Sequence, residues 1–210
     1  MRDADGTPSH FLAQIQDIYA RKVAEAQLRH QALHDILTGL PNRPLFLDRL
    51  IGALVRRTRR EERIGVCFID LDGFKAVNDR FGHAAGDALL ATIAERLQQV
   101  VRAGDTVARF GGDEFTVLLE GGLDEVDTAH LGACLIAAIE RPIVLGERVA
   151  QVSASIGIAL SPPVGDSAEA LIAAADAAMY AAKVAGKGQW RLAQRGSSAE
   201  GGGGDTGEGG

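Results

Sequence analysis

The residue pattern points to an α/β (α+β) domain whose mostly antiparallel central sheet is covered by helices. Of its 210 residues 46% are apolar and 24% charged, proportions that support a packed core. The run IGVCFIDL, Ile64 to Leu71, is β-branched, aromatic and almost unbroken, as in a strand buried on both faces. Around it, segments of helical period alternate with short strand-like runs, two of which flank Gly111 and Gly112 as arms of a hairpin.

Along the chain, FLAQIQDI (Phe11 to Ile18) alternates imperfectly and suits a short strand. From Tyr19 onward Val23, Ala24, Leu28, Ala32 and Leu33 recur at spacings of three to five between polar residues, which predicts an amphipathic helix. That helix is too short and alanine-rich to stand alone, so its stripe packs either on the core or on a second copy of itself. Gly39, Pro41, Asn42 and Pro44 mark a turn before a second helix, Leu45 to Arg59. Asp87 to Val101 sets Leu89, Leu90, Ile93, Leu97, Val100 and Val101 on one helical face. TVARF and EFTVLLE are the hairpin arms. A helix over 125–140, short strands around Ile143 to Val152, a strand from Ser153 to Leu160 and a helix over 168–184 complete the order. The closing GSSAEGGGGDTGEGG holds eight of the 26 glycines and nothing apolar larger than Ala, and is expected to be disordered.

A formal net charge of −6 argues against loose binding to a nucleic-acid polymer, but not against a nucleotide carried by a metal. No run approaches the roughly 18 apolar residues of a membrane span, and the N-terminus MRDADGTPSH lacks signal-peptide features, so a cytoplasmic chain is expected. Cys67 and Cys134 lie in apolar runs without CxxC spacing or a nearby His, and are expected to be core thiols.

Two acidic clusters fall where strands end. Asp70 and Asp72 close the buried strand in FIDLDGFKAVND, and Asp113 and Glu114 occupy the hairpin bend GGDEF. A carboxylate at the end of a buried strand needs a cation or donor beside it. Two such ends side by side would form an oxygen site for Mg²⁺ carrying a triphosphate. Taken singly, either cluster reads first as an ordinary turn or hairpin bend. Together, with Gly111 and Gly112 clearing side chains from the backbone, they read as a site.

At this point the chain resembles the GGDEF domain family, the diguanylate cyclases, from about His34 to Lys187. The resemblance rests on HDILTGLPNR, FIDLDGFKAVNDRFGHAAGD, RFGGDEF, SIGIA and ADAAMYAAKVAGK. It implies a palm-like nucleotidyl cyclase fold and condensation of two GTP into cyclic di-GMP, a bacterial second messenger, with release of two pyrophosphates. It implies Mg²⁺, with Mn²⁺ as a substitute, held by Asp70, the Leu71 carbonyl, Asp113 and Glu114, with Asp113 nearest the reacting 3′-hydroxyl. Cations held by those acids would lower the pKa of a ribose hydroxyl and offset charge on the α-phosphate.

Asn78 and Asp87 correspond to the family's guanine-binding pair; a carboxylate acceptor suits guanine N1 and N2, which both donate, and so favours GTP over ATP. The backbone at Phe74 and Lys75 resembles a phosphate-cradling turn, with Gly111 and Gly112 beside the substrate. Lys183 and Lys187 match two phosphate contacts and, four apart, are expected on one face at the end of the last helix. Many members carry Arg and Asn where this chain has Lys187 and Gly188, so charge is kept while bidentate geometry is lost. His83 is expected to brace its turn. Arg102 and Asp105 resemble the product-inhibition site for cyclic di-GMP, though the same pair reads alone as a solvated helix end; helix 125–140 supplies no further arginine before Arg141.

Gly6 to Leu28 resembles the end of a PAS sensor running into a signalling helix. The resulting division is a PAS-like remnant over 1–19, a signalling helix and linker over 20–34, the catalytic domain over 35–193 and the glycine-rich tail over 194–210. Condensing two GTP requires two domains facing each other, hence a homodimer. The competing class is a non-catalytic module that binds GTP or cyclic di-GMP. A template-directed polymerase would need a basic groove and a longer chain.

Overall fold

The strand that organises the molecule is β1 (Gly65–Asp72), whose β-branched and aromatic residues point alternately to two apolar layers. Cys67, Ile69 and Leu71 enter one core, whereas Val66 and Phe68 enter the other. A computed structural model describes residues 19–57, 63–121, 124–161 and 167–193. The strand expected at Phe11 to Ile18 and the glycine-rich tail lie outside the described residues.

Before β1 come α1 (Tyr19–Leu33) and α2 (Arg43–Arg57). After it come α3 (Phe74–Phe81), α4 (His83–Val100), the hairpin β2 (Thr106–Gly111) and β3 (Glu114–Leu119), and α5 (Glu125–Glu140). The chain continues through β4 (Ile143–Leu145), β5 (Arg148–Ala150), β6 (Ser153–Leu160), α6 (Ala168–Val184) and β7 (Gln189–Leu192). The main sheet has the order β2-β3-β1-β6-β7, antiparallel except for the β6–β7 pair, and β4 and β5 form a separate ribbon. One apolar layer joins the sheet to α3, α4 and α5, and the other joins it to α2 and α6.

Most expected elements are present, and the differences have local causes. Helix α2 starts two residues before the expected Leu45, because the Asn42 side chain accepts from the Leu45 amide and caps it. Helix α4 starts at His83 instead of Asp87, so its small first turn HAAG is helical as well. Helix α3 and strand β7 were not expected: each is short, and pairing with α4 and β6 respectively supplies what local pattern does not. Cys67 is a core thiol whose pKa burial drives up. Cys134 is not: it is half-buried, with Sγ 3.5 Å from His130 Nε2, one helical turn earlier.

Close contact between β6 and α6 depends on Gly157. A Cβ there would stand 1.9 Å from the Ala175 carbonyl oxygen and 2.2 Å from the Met179 nitrogen. Ser167 caps α6 by accepting from the Ala170 amide, and the helix then runs across the sheet toward the acidic end of β1. The α1 stripe, by contrast, does not enter either core: Val23, Ala24, Leu28 and Ala32 are exposed.

Candidate functional site

Strand pairing brings the two acidic clusters together. Asp70 is the cross-strand partner of Glu114, and the Leu71 amide donates to the Asp113 carbonyl at 3.3 Å. The hairpin turns through Gly111 and Gly112 at φ 147° and 53°, and a Cβ on either would meet nothing within 4 Å. Gly112 therefore supplies a backbone conformation costly for other residues, and the approach to the acids stays open.

These acids share too little countercharge. Asp70 is buried, and burial followed by the nearby Asp113 and Asp72 holds its carboxyl above the ordinary range although Lys183 pairs with it at 2.7 Å. Glu114 is also raised, first by burial and then by Asp70, Asp113 and Asp176. Asp176, on α6, lies within the ADAAMYAAKVAGK motif but is not among the site residues expected from the sequence. Burial works against the Lys183 charge, but Asp70, Asp72 and Asp113 outweigh it and hold the ammonium above its ordinary range. The site is short of positive charge even with its lysine in place.

A cleft of about 490 Å³ opens beside these groups, lined among others by Asp70, Asp72, Phe74, Lys75, Asp113, Lys183 and Lys187. Gly73, at φ 89°, turns the chain from β1 into α3 without a side-chain cap. The first amides of α3, at Phe74 and Lys75, thus face the cleft unpaired within their helix, an arrangement suited to phosphate. Lys187 is not on the α6 face expected for it. The helix ends at Val184, and Lys187 sits in a left-handed turn at φ 63°, yet it lines the same cleft.

Asn78 of α3 packs against Gly86 of α4, the residue before Asp87. A Cβ at Gly86 would lie 1.9 Å from Asn78 Oδ1, so the absent side chain lets Asn78 sit beside the residue before Asp87. Asn78 Oδ1 is buried without a hydrogen-bond partner, whereas Asp87 is exposed. An orphaned acceptor beside a free carboxylate suits a ligand edge made of donors. His83 is exposed at the start of α4 and forms no side-chain cap.

Arg102 and Asp105 border a different cavity of about 260 Å³, shared with His130 and Cys134 of α5. Glu120, at its edge, follows the end of β3, about 20 Å along the extended chain from Glu114. Asp105 Oδ2 accepts from the Arg102 amide and Oδ1 from the Glu120 amide, so its carboxylate also ties two chain segments together.

Among the described residues no three His, Cys, Asp or Glu side chains stand close enough to ligate one ion. The donor set nonetheless fits a hard divalent cation that keeps few protein ligands and completes its shell from phosphate oxygens.

A mostly antiparallel sheet with crowded carboxylates at one end thus faces the N-terminus of α3 and two lysines, the features of an α+β domain with an acidic cleft. The chain belongs to the GGDEF family: the profile described as "Diguanylate cyclase, GGDEF domain" matches residues 32–189. It is 46% identical over 170 residues to the diguanylate cyclase TpbB of Pseudomonas aeruginosa, covering 80% of this chain and 39% of that protein. It is 49% identical over 164 residues to the bifunctional diguanylate cyclase/cyclic di-GMP phosphodiesterase MucR of the same species, covering 78% of this chain and 24% of that protein. The chain thus spans well under half of either relative. Among solved structures, the GGDEF domain of TpbB aligns with TM-score 0.74 and 46% identity, covering 77% of this chain and 94% of that one. The coiled coil and GGDEF domain of DgcB from Caulobacter crescentus, in complex with c-di-GMP, aligns with TM-score 0.78 and 26% identity, covering 84% and 94%. No described helix is long and apolar enough to cross a membrane.

Proposed function

We propose that this chain is a diguanylate cyclase domain, joining two GTP into cyclic di-GMP with Asp70, Asp113 and Glu114 as the catalytic acids. The observation that carries the reading is the convergence of Asp70 and Asp113, with Glu114 across the strand pair from Asp70, on a cleft also lined by Phe74 and Lys75 of α3, Lys183 and Lys187.

The α3 amides at Phe74 and Lys75 hold the triphosphate, with Lys183 and Lys187 neutralising it from the opposite wall. Asn78 Oδ1 and the Asp87 carboxylate accept from guanine N1–H and N2–H₂, a pattern adenine does not present. Gly111 and Gly112 let the substrate lie against the hairpin bend. Asp113 or Glu114 accepts the proton of the attacking 3′-hydroxyl as its oxygen bonds to the α-phosphorus and pyrophosphate leaves, while Asp70 and the Leu71 carbonyl, both acceptors, would meet the α-phosphate through a bound cation. Mg²⁺ or Mn²⁺ on Asp70, Leu71, Asp113 and Glu114 would supply charge neutralisation and acidify the hydroxyl.

One cleft accommodates one nucleotide, so ring closure requires two chains related by a two-fold axis. The exposed α1 stripe of Val23, Leu28 and Ala32 supports a pairing helix that raises the effective concentration of the two clefts. Arg102 and Asp105 serve product inhibition, Arg102 forking onto phosphate or guanine. The reaction belongs in the cytoplasm, where GTP is found, and the domain division expected from the sequence places it within residues 35–193.

The test is turnover of GTP with Mg²⁺ across protein concentrations, with product identified by mass spectrometry. The expected result is cyclic di-GMP at a rate per chain that rises with concentration, and none from Asp113→Ala that folds normally. Nucleotide binding without product at any concentration would assign the non-catalytic module instead.

A further inference from the structure

Asp72 stands one residue beyond the Leu71 carbonyl, at the end of β1, and lines the cleft together with Asp70 and Asp113. Its Oδ2 accepts from Ser155 Oγ at 2.9 Å and from the Gly188 amide at 3.2 Å, across 116 positions of sequence. The Gly188 amide belongs to the turn that carries Lys187 into the cleft. That turn is unusual in its backbone: Gly186, Lys187 and Gly188 have φ of 123°, 63° and 57°, and Lys187 is the one non-glycine residue with positive φ among the described residues. An L side chain holds this conformation only where its surroundings impose it.

Three contacts bear on it here, besides the bond from Gln189 Nε2 to the Lys187 carbonyl at 3.5 Å. The Lys187 amide donates to the Ala182 carbonyl at 3.2 Å, closing the end of α6. Gln189 Nε2 donates to the same carbonyl at 3.2 Å. Asp72 supplies the third, and it alone ties the turn to β1, the strand that bears Asp70. Ser155, fully buried on β6, fixes the carboxylate from the other side.

We infer that Asp72 is a positioning residue that anchors the 186–188 turn through the Gly188 amide and so aims Lys187 at the phosphate cradle. It rests on the reading of Lys187 as a phosphate contact. Asp72 Oδ1 is buried without a partner in the same cleft, which makes cation ligation the competing role.

The experiment compares wild type, Asp72→Ala, Asp72→Asn, Lys187→Ala and the Asp72→Ala/Lys187→Ala double variant. The readouts are affinity for a non-cyclisable GTP analogue with Mg²⁺, Mn²⁺ binding without nucleotide, and hydrogen exchange at the Gly188 amide. Asp72→Ala is expected to speed Gly188 exchange and weaken analogue binding about tenfold, the scale of a lost hydrogen bond to a charged group. Lys187→Ala should lose a similar factor, and less than about twofold more on the Asp72→Ala background, because the two act as one unit. Asp72→Asn, which retains an acceptor oxygen, should restore most of the affinity. Should Asp72→Ala not fold, Ser155→Ala, which removes the hydroxyl that fixes the Asp72 carboxylate, carries the same comparison in milder form.

Factors that multiply in the double variant would overturn the proposal. So would unchanged Gly188 exchange, or a loss of nucleotide-free Mn²⁺ binding in Asp72→Ala, which would make Asp72 a metal ligand. Unchanged analogue affinity in Lys187→Ala, with Gly188 exchange still accelerated by Asp72→Ala, would remove the phosphate role of Lys187 and the proposal with it.

Discussion

Arg109 joins the loop after α1 to the hairpin bend through Asp35. Its Nη1 donates to both Asp35 oxygens at 3.0 and 3.1 Å, while Nε and Nη2 donate to the Gly112 carbonyl at 3.1 and 2.7 Å. Asp35 in turn accepts from the Thr38 amide and hydroxyl. The Arg109 amide donates to the Pro41 carbonyl, and Asn42 donates back to the Leu33 and Ala32 carbonyls of α1. A continuous set of polar contacts, part-buried at Asp35 and exposed at Gly112, thus links the end of α1 to the peptide preceding Asp113.

Asp35→Asn is expected to destabilise the fold by about 1–2 kcal/mol, the range for a partly buried charged hydrogen bond. Burial pushes the Asp35 carboxyl up, but the Thr38 bonds and Arg109 outweigh it, leaving it below its ordinary 3.8. Because the folded value is depressed, the stabilisation is complete above 3.8 and disappears as pH falls through the lowered value. Thermal melts should show a constant gap between wild type and variant from neutral pH down to mild acid, closing only below that point.

Glu114→Gln should raise the melting temperature of the metal-free protein by about 2 °C while removing cyclisation. The Glu114 carboxyl is raised above 4.5 by burial and by neighbouring acids, so its ionisation works against folding. The sign follows: wild type loses stability relative to the variant as pH rises from 4.5 through the raised value. Calorimetry at mild acid and neutral pH, with added chelator, measures both.

Lys183→Ala is expected to weaken GTP binding about tenfold and to strengthen nucleotide-free Mn²⁺ binding, since Asp70 loses the ammonium paired with it at 2.7 Å. Spin-resonance titration of free Mn²⁺ reads the second effect. Equal weakening of both would show that the lysine supports the site's shape more than its charge.

Gly86→Ala should impair nucleotide recognition without unfolding the chain. The new methyl overlaps Asn78 Oδ1, which is a side-chain terminus and can turn away, while α4 gains helix propensity of about 1 kcal/mol. The expected outcome is an unchanged or higher melting temperature and a preference for GTP over ATP reduced about tenfold.

Gly157→Ala should behave in the opposite way. Its methyl meets main-chain atoms of α6 at 1.9 and 2.2 Å, which cannot move without lifting the helix from β6. A loss of about 3 kcal/mol or more in urea unfolding is expected.

Much of this molecule is local in origin. The run Ile64 to Leu71 is apolar enough to be a central strand wherever it lies, and α5, β6 and α6 occupy the spans their patterns indicate because each is long enough to carry its own period. The identities of Asp70, Asp113 and Glu114 are likewise written in short motifs, as are the glycines beside them. Helix α3 and strand β7 are too short to carry such a signal and exist because α4 and β6 pair with them. Lys187 belongs by spacing to a helix, yet it sits in a left-handed turn whose Gly188 amide donates to an aspartate 116 positions away. Asp35 and Arg109 meet across 74 positions, and Cys134 turns toward His130 and a cavity instead of the core. Periodicity reports which face of an element is buried. It does not report which buried polar groups find each other, because those partners are chosen by strand register and helix packing, and here that choice sets the charge balance and geometry of the cleft.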